Sequence, residues 1–435
     1  MSIYNYEQAF GAADTTTKAM RQARSQWLQL YYGSKTAGED PCQRLAYTIV
    51  TKLTKAVFGE YHATAQDPQA MAAVKALEKI HRESFGAALV EGESYLKPVP
   101  MAGGFGFSLV SRSNMLVFSR DADGEPTDIG MVEKSALDPY YYTLLERRTV
   151  DENGYLTIEN RLYRSGAADR LGQQVNLASH PAYAKLADRY TYPEPVGSIG
   201  LARVKLPVVN CVDGSADGVS VYAAAAGLIH NIDRNEAQLC GEFDRGESRI
   251  IASRDLLGKE GLQDHVFVGL DEDPENVGIT VFSPQLRASA FLERKQEYLR
   301  NVESIVGLRR GMLSDANVED RTATEIASST ADFNLTVLEL QQMWTKAVQQ
   351  AAQLCAVLAK IYGLPAITDS RIAIDWGNGI LYDEATQWGE YLQMVEKGLL
   401  KPEIALGWRF GMASDTPEEQ ALVRSRYMPA NAIEN

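Results

Sequence analysis

The sequence predicts an α+β protein, and three observations carry that prediction. Apolar residues recur at spacings of three and four between Thr15 and Gly92 and again beyond Gly218, the signature of amphipathic helices. Between Tyr95 and Pro207 the chain changes to short β-branched and aromatic runs broken by Asp123-Gly124 and Asn153-Gly154, dipeptides that favour hairpin turns. The longest apolar stripe, over residues 322–362, makes a single helix of roughly 60 Å at 1.5 Å per residue.

The N-terminal helices are expected at residues 15–33, with Trp27, Leu28 and Tyr31, and at 42–62, with Leu45, Ile49, Leu53 and Val57. A third runs from Asp67 to Gly92, where Met71, Val74, Leu77, Ile80 and Phe85 form one stripe. Residues 143–150 and 155–163 flank Asn153-Gly154 and pair antiparallel, with one wet face. A helix starts at Gly218 and runs to about Phe243, its seam marked by Ala225, Ile229, Ile232, Leu239 and Phe243, and Gly246 stops it. Residues 248–282 read as compact strand and loop. The next helix starts at Ser283-Pro284, since proline fits a first helical turn, and continues to Val306. Residues 307–321 are a polar loop, followed by the capping box Thr322-x-x-Glu325. On the long helix that follows, Phe333, Val337, Leu340, Trp344, Ala351, Leu354 and Leu358 form the stripe. A short strand at 371–376 precedes a helical section at 383–427 that restarts at Lys401-Pro402 and Asp415-Thr416-Pro417.

The 435 residues carry 43 Lys+Arg against 57 Asp+Glu, a formal charge of −14, which excludes a simple basic DNA-coating protein. At 45% hydrophobic and 23% charged the composition is that of a folded protein. Cys42, Cys211, Cys240 and Cys355 are far apart and form no CxxC pair, so neither a zinc ribbon nor a disulfide framework is indicated, and synthesis in a reducing cytosol is expected. No apolar stretch approaches the roughly 18 residues of a membrane span, and residues 1–11 are too polar for a secretory signal.

Enzyme signatures are missing: there is no GxxxxGK[ST], HExxH or GxSxG, and no GxGxxG that opens a helix. No catalytic residue, metal ligand or cofactor is therefore predicted. Gly103-Gly104-Phe105-Gly106 reads as a turn or bulge. Asp121-x-Asp123-x-Glu125 and Asp271-x-Asp273-x-Glu275 begin like calcium loops. Their sixth positions are Pro126 and Asn276 and their twelfth Val132 and Phe282, where such a loop needs Gly and Glu, so both read as solvated turns. His230 with Asp233 reads as a contact on a helix surface, and Cys240 as buried or packed against another subunit.

The run from Gly218 through Val-Ser-Val-Tyr-Ala to Ile229, then Ile232-Asp233, Glu242-Phe243, Gly246 and Arg249-Ile250-Ile251, resembles the portal proteins of tailed bacteriophages, particularly the long-tailed type and related prophages. Gly307-Leu308 to Leu313, followed by Arg321-Thr322-Ala323-Thr324-Glu325-Ile326, looks like that family's tunnel loop and tunnel helix. Tyr142-Thr143, Asn153-Gly154-Tyr155, Ile158-Glu159-Asn160-Arg161-Leu162-Tyr163 and Leu171-Gly172 are similar to its wing sheet. The resemblance covers residues 46–427 and implies a protein that is not an enzyme. Its members form a ring, usually of twelve subunits, at one capsid vertex, through which double-stranded DNA passes in packaging and ejection. It implies a wing (1–217), stem helices (218–246 and 283–306), a clip (247–282), a tunnel loop (307–321), a tunnel helix with a returning wing strand (322–382) and a short crown (383–435). Implied partners are copies of the chain, double-stranded DNA without sequence preference, the terminase large subunit, a head-tail adaptor, and the major capsid and scaffolding proteins. Assembly in the host cytoplasm and residence in the virion follow, with no membrane.

Charge is distributed compatibly with that role. Residues 285–310 hold Arg287, Arg294, Lys295, Arg300, Arg309 and Arg310 against Glu293, Glu297 and Glu303, a balance of +3, and these six cations are the DNA-channel candidates. Residues 247–282 balance at −5, and Asp271, Glu272, Asp273 and Glu275 are candidates for docking partner proteins. In the loop, Gly307, Gly311, Asp315 and Asp320 are the marked positions. The bland alternative pairs Arg294, Lys295 and Arg300 with Glu297 and Glu303 on a solvated helix face. An adaptor or minor head protein, or a hydrolase built on perturbed carboxylates, are the other readings of the whole chain.

Overall fold

A computed structural model of the chain describes residues 3–33, 42–245, 249–252, 266–268, 279–282, 287–315, 323–377, 384–414 and 416–428. The chain divides into two compact units, Met1–Val57 with Ala63–Ile374, and Phe58–His62 with Asp375–Asn435.

In the larger unit a short α1 (Glu7–Phe10) precedes α2 (Lys18–Tyr32), which starts where the Thr17 hydroxyl accepts from the Met20 amide, and α3 (Leu45–Val57). The third predicted helix is two helices, α4 (Pro68–Glu78) and α5 (His81–Glu91). At the break the Lys79 and Ile80 amides reach back only three residues, to Ala76 O and Leu77 O, which tightens and ends α4. The apolar stripe runs straight across that break, so periodicity could not reveal it. Asp67 caps α4 through the Gln69 and Ala70 amides at 2.8 and 3.1 Å. Its other oxygen takes the Thr368 amide and hydroxyl, both at 2.8 Å.

The β region forms two antiparallel sheets. In the smaller, β2 (Glu93–Met101) lies between β3 (Gly104–Ser111) and β10 (Ala202–Lys205). The larger runs β4 (Met115–Arg120), β5 (Pro126–Leu137), β6 (Tyr140–Val150), β7 (Leu156–Ser165) and β8 (Gln173–Val175), with β9 (Arg189–Thr191) also on β7. Both predicted hairpin turns form: the Asp121 carboxylate accepts from the Asp123 and Glu125 amides, Asp151 does the same for Asn153 and Tyr155, and Gly124 and Gly154 take φ values of 78° and 82°. The expected wet face of β6 is a correction. Leu145 packs with Tyr6, Phe10, Leu116 and Val132, while Tyr142 and Leu144 pack with Leu162, Leu177 and Tyr183, so both faces of the strand are covered. The N-terminal turn and α1 supply one cover and the 177–183 segment the other, which no local pattern encodes.

Beyond the sheets come α6 (Ala226–Arg245), α7 (Ala288–Val306) and α8 (Ala323–Tyr362). All seven residues of the predicted α8 stripe are buried, and Trp344 meets the edge of Phe85 on α5 with ring centroids 6.1 Å apart. Burial of large apolar side chains of this kind contributes roughly 1.5–3 kcal/mol each. The α6 seam is buried at Ala225, Ile229, Ile232 and Leu239, but Phe243 is exposed. That helix does not begin at Gly218. Residues 218–221 run along the end of α5, where the Val221 amide and the Ser220 hydroxyl both donate to Leu89 O, and the helix opens only after a tight turn at Ala223–Ala225. Likewise Arg287 is the non-helical residue before α7; Ser283-Pro284 and the box residue Thr322 lie outside the described residues.

Between α6 and α7, β11 (Arg249–Ala252) runs parallel to β12 (Val266–Val268) and antiparallel to β13 (Ile279–Phe282). A strand that the sequence reading did not anticipate, β1 (His62–Ala65), pairs with β14 (Ile372–Asp375). In the smaller unit α9 (Glu384–Glu396), α10 (Pro402–Phe410) and α11 (Pro417–Tyr427) follow, with prolines opening the last two as expected. Thr416 and Glu419 complete a capping box, and Trp388 stacks on Trp408.

Candidate nucleic-acid interface

The predicted cations sit on one antiparallel helix pair and the loop that follows it, all in the larger unit. Helices α6 and α7 are tied at successive levels: Arg287 grips Glu242 at 3.0 and 2.8 Å, the Asn235 amide donates to Phe291 O at 3.0 Å, and Lys295 meets Glu236 at 2.8 Å. Arg287 and Lys295 are therefore drawn into ion pairs, and Arg300 also faces Glu297 at 3.7 Å. Arg294 donates to the Tyr298 hydroxyl one turn on, at 2.9–3.0 Å. Arg309 and Arg310 are exposed in the loop beyond α7. Asp271, Glu272, Asp273, Glu275 and Asp320 lie outside the described residues.

Glu303 is not the solvated pairing partner the bland reading made it. Its residue is 1% exposed, and its carboxylate collects the amides of Gly311, Leu313 and Ser314 together with the Ser314 hydroxyl. Gly307 closes α7 with φ 75° and Gly311 takes φ 91°, both in the left-handed region that favours glycine. Asp315 donates its amide to Gln296 Oε1 at 2.8 Å. Asp233 is also buried, and accepts from the Gln43 amide at 2.8 Å. Cys240 is exposed on the single chain.

At the smaller sheet lies a buried ionic network that the sequence reading did not find. Glu93, fully buried on β2, meets Arg112 at 2.9 Å, lies 3.9 Å from Arg120, and binds Arg203 of β10 through two nitrogens. Asp217, just before the segment leading to α6, binds Arg120 at 2.6 Å and Arg112 at 3.4 Å. Burial pushes the Glu93 carboxyl up, but the three guanidinium groups outweigh it and hold it well below the carboxylate range. Next to it Glu91 is raised, chiefly by burial, against opposing pulls from Arg24 and the Ser113 amide. The available signal was the pair Glu91 and Glu93 set between the apolar residues Leu89-Val90 and Tyr95-Leu96.

A second ionic group lines a cleft of about 920 Å3 bounded by β2, β3, β5–β7 and the end of α8. There Glu146 takes Lys97 at 2.5 Å and Arg148 at 2.6 Å, and the Tyr192 and Tyr362 hydroxyls meet at 2.6 Å. Burial raises the Glu146 carboxyl, yet Arg148 and Lys97 bring it down to about 2. Among the described residues no group of three or more His, Cys, Asp or Glu could hold a metal ion, and no helix is long and apolar enough to cross a membrane.

No curated protein matched the chain. The family model described as phage portal protein, SPP1 Gp6-like, matches residues 81–423, a stretch that includes both sheets, α6 to α8 and their connecting loop. That role is structural, as a capsid component working as a homo-oligomeric ring. With about four-fifths of its length under one family model, this chain belongs to the phage portal proteins of the SPP1 Gp6-like family.

Proposed function

We propose that twelve copies of this chain close around a pore at one capsid vertex and guide double-stranded DNA through it during packaging and ejection. The family match over residues 81–423 carries the reading. In it, residues 1–217 form the wing, 218–246 and 283–306 the stem, 247–282 the clip, 307–321 the tunnel loop, 322–382 the tunnel helix and returning strand, and 383–435 the crown. The acidic clip, with Asp271, Glu272, Asp273 and Glu275, docks the terminase large subunit and later the head-tail adaptor. Major capsid and scaffolding proteins surround the ring.

A channel through which DNA slides cannot hold phosphates tightly, because each neutralised phosphate releases counterions and adds affinity. A chain of net charge −14 with a few exposed arginines meets that requirement. Arg309 and Arg310 are the leading contacts, because both are exposed in the loop beyond α7. Such contacts are to the backbone and carry no sequence information. Electron-microscopic class averages of the purified protein are expected to show closed rings with a central opening wider than a DNA duplex. Single compact particles under every assembly condition would end the reading.

A further inference from the structure

We propose that Glu303 is the positioning residue that holds the loop after α7 in the shape presenting Arg309 and Arg310 to DNA; this rests on the channel reading above. The loop leaves α7 through Gly307, where an added Cβ would lie 2.3 Å from Thr336 Oγ1 of α8, so the exit path is confined. The chain then folds back onto one carboxylate. Glu303 Oε1 accepts from the amides of Gly311 at 3.1 Å, Leu313 at 2.5 Å and Ser314 at 2.8 Å, and Oε2 accepts from Ser314 Oγ at 2.8 Å. Amides converging in this way form an anion-binding concavity, and here its anion is a side chain of the same protein. Hydrogen bonds to an ionised acceptor are about twice as strong as neutral ones.

Arg309 and Arg310 stand inside the segment that this clasp closes. Two adjacent exposed cations repel each other, and a loop bearing them loses backbone freedom when ordered. Four bonds to a single buried carboxylate offset both costs without placing any apolar anchor on the exposed side. The loop's shape is thus set from behind, by α7, and its outer face is left to the arginines.

The test uses assembled rings of the full chain carrying Glu303→Gln, Glu303→Ala, or the double change Arg309→Ala with Arg310→Ala. Hydrogen exchange at the Gly311, Leu313 and Ser314 amides reads the clasp, and DNA retained in packaged particles reads the contact. Glu303→Ala is expected to speed exchange at those amides about tenfold or more and to lower retention as far as the double arginine change does. Glu303→Gln keeps the shape and one acceptor oxygen but not the charge, and falls between. Wild-type exchange in Glu303→Ala overturns the clasp. Faster exchange with normal retention, while the double arginine change lowers it, overturns the positioning role. Normal retention in the double arginine change removes the channel reading of the loop, and the proposal with it, whatever the exchange shows. If Glu303→Ala forms no rings, Ser314→Ala, which deletes only the bond to Oε2, substitutes for it: about threefold faster exchange at Leu313 and Ser314 is expected, and none overturns the clasp.

Discussion

Glu93 shows how a single residue can decide whether a charged core is an asset. It has no exposure and faces three guanidinium groups, so its removal leaves Arg112 and Arg203 buried without their main partner. Breaking a buried pair from one side costs about 3–5 kcal/mol, and Glu93→Gln is expected to lose that much in urea unfolding; a loss under about 1 kcal/mol would show that water or rearrangement replaces the carboxylate. Glu146 contributes to the loss of stability in acid. Its folded carboxyl titrates at about 2, against an ordinary value of 4.5, so its contribution is complete above the ordinary value and is lost as pH falls toward 2. Glu93 shifts in the same direction, whereas Glu91, raised by burial, opposes both. Unfolding monitored between pH 5 and 2 is expected to show steadily falling stability, and Glu146→Gln to flatten part of that slope.

At the scale of elements, the junction of α5 and β2 fixes where α6 can begin. Gly92 has φ 87°, and a Cβ there would lie 2.2 Å from the backbone of Gly218 and Val219. Two backbones cross at this point, where residues 218–221 run along the end of α5. Gly92→Ala combines left-handed strain with a clash against main chain that cannot rotate away. It is expected to cost at least about 1–3 kcal/mol by thermal or denaturant unfolding, and Gly11→Ala, at a site with φ 70° and open space, considerably less. Equal losses at the two glycines would mean that backbone strain alone, and not the crossing, matters at Gly92.

Across the whole molecule, exposed apolar residues on the long helices fit a chain that completes its packing against copies of itself. Leu292 and Ile305 on α7 and Leu335 and Leu338 on α8 are 46–60% exposed, although the opposite faces of both helices are buried. Head-to-tail rings bury one patch of each subunit against a different patch of the next, which requires two interaction faces per chain. For the proposed twelve-subunit ring, native mass measurement of the assembled protein is expected at about twelve times the 47.9 kDa of one chain, in agreement with the rings expected by microscopy. A single-chain mass would contradict both.

Much of the architecture could be read directly from residue order. The α8 stripe, the two Asx-Gly hairpins and the proline starts of α10 and α11 were all visible, because each depends on period or on local turn chemistry within a few residues. The partial motifs around Gly218, Gly307 and Arg321 pointed to the family for the same reason: they are contiguous. What the sequence could not supply was anything depending on the meeting of distant segments. The double cover of β6, the late start of α6 and the ion network around Glu93 each join residues whose partners are set by tertiary packing, and even the short-range clasp at Glu303 stays hidden because nothing in the residue order turns its carboxylate inward. A carboxylate reads the same in a list of residues whether it faces water or three arginines, and only the fold determines which.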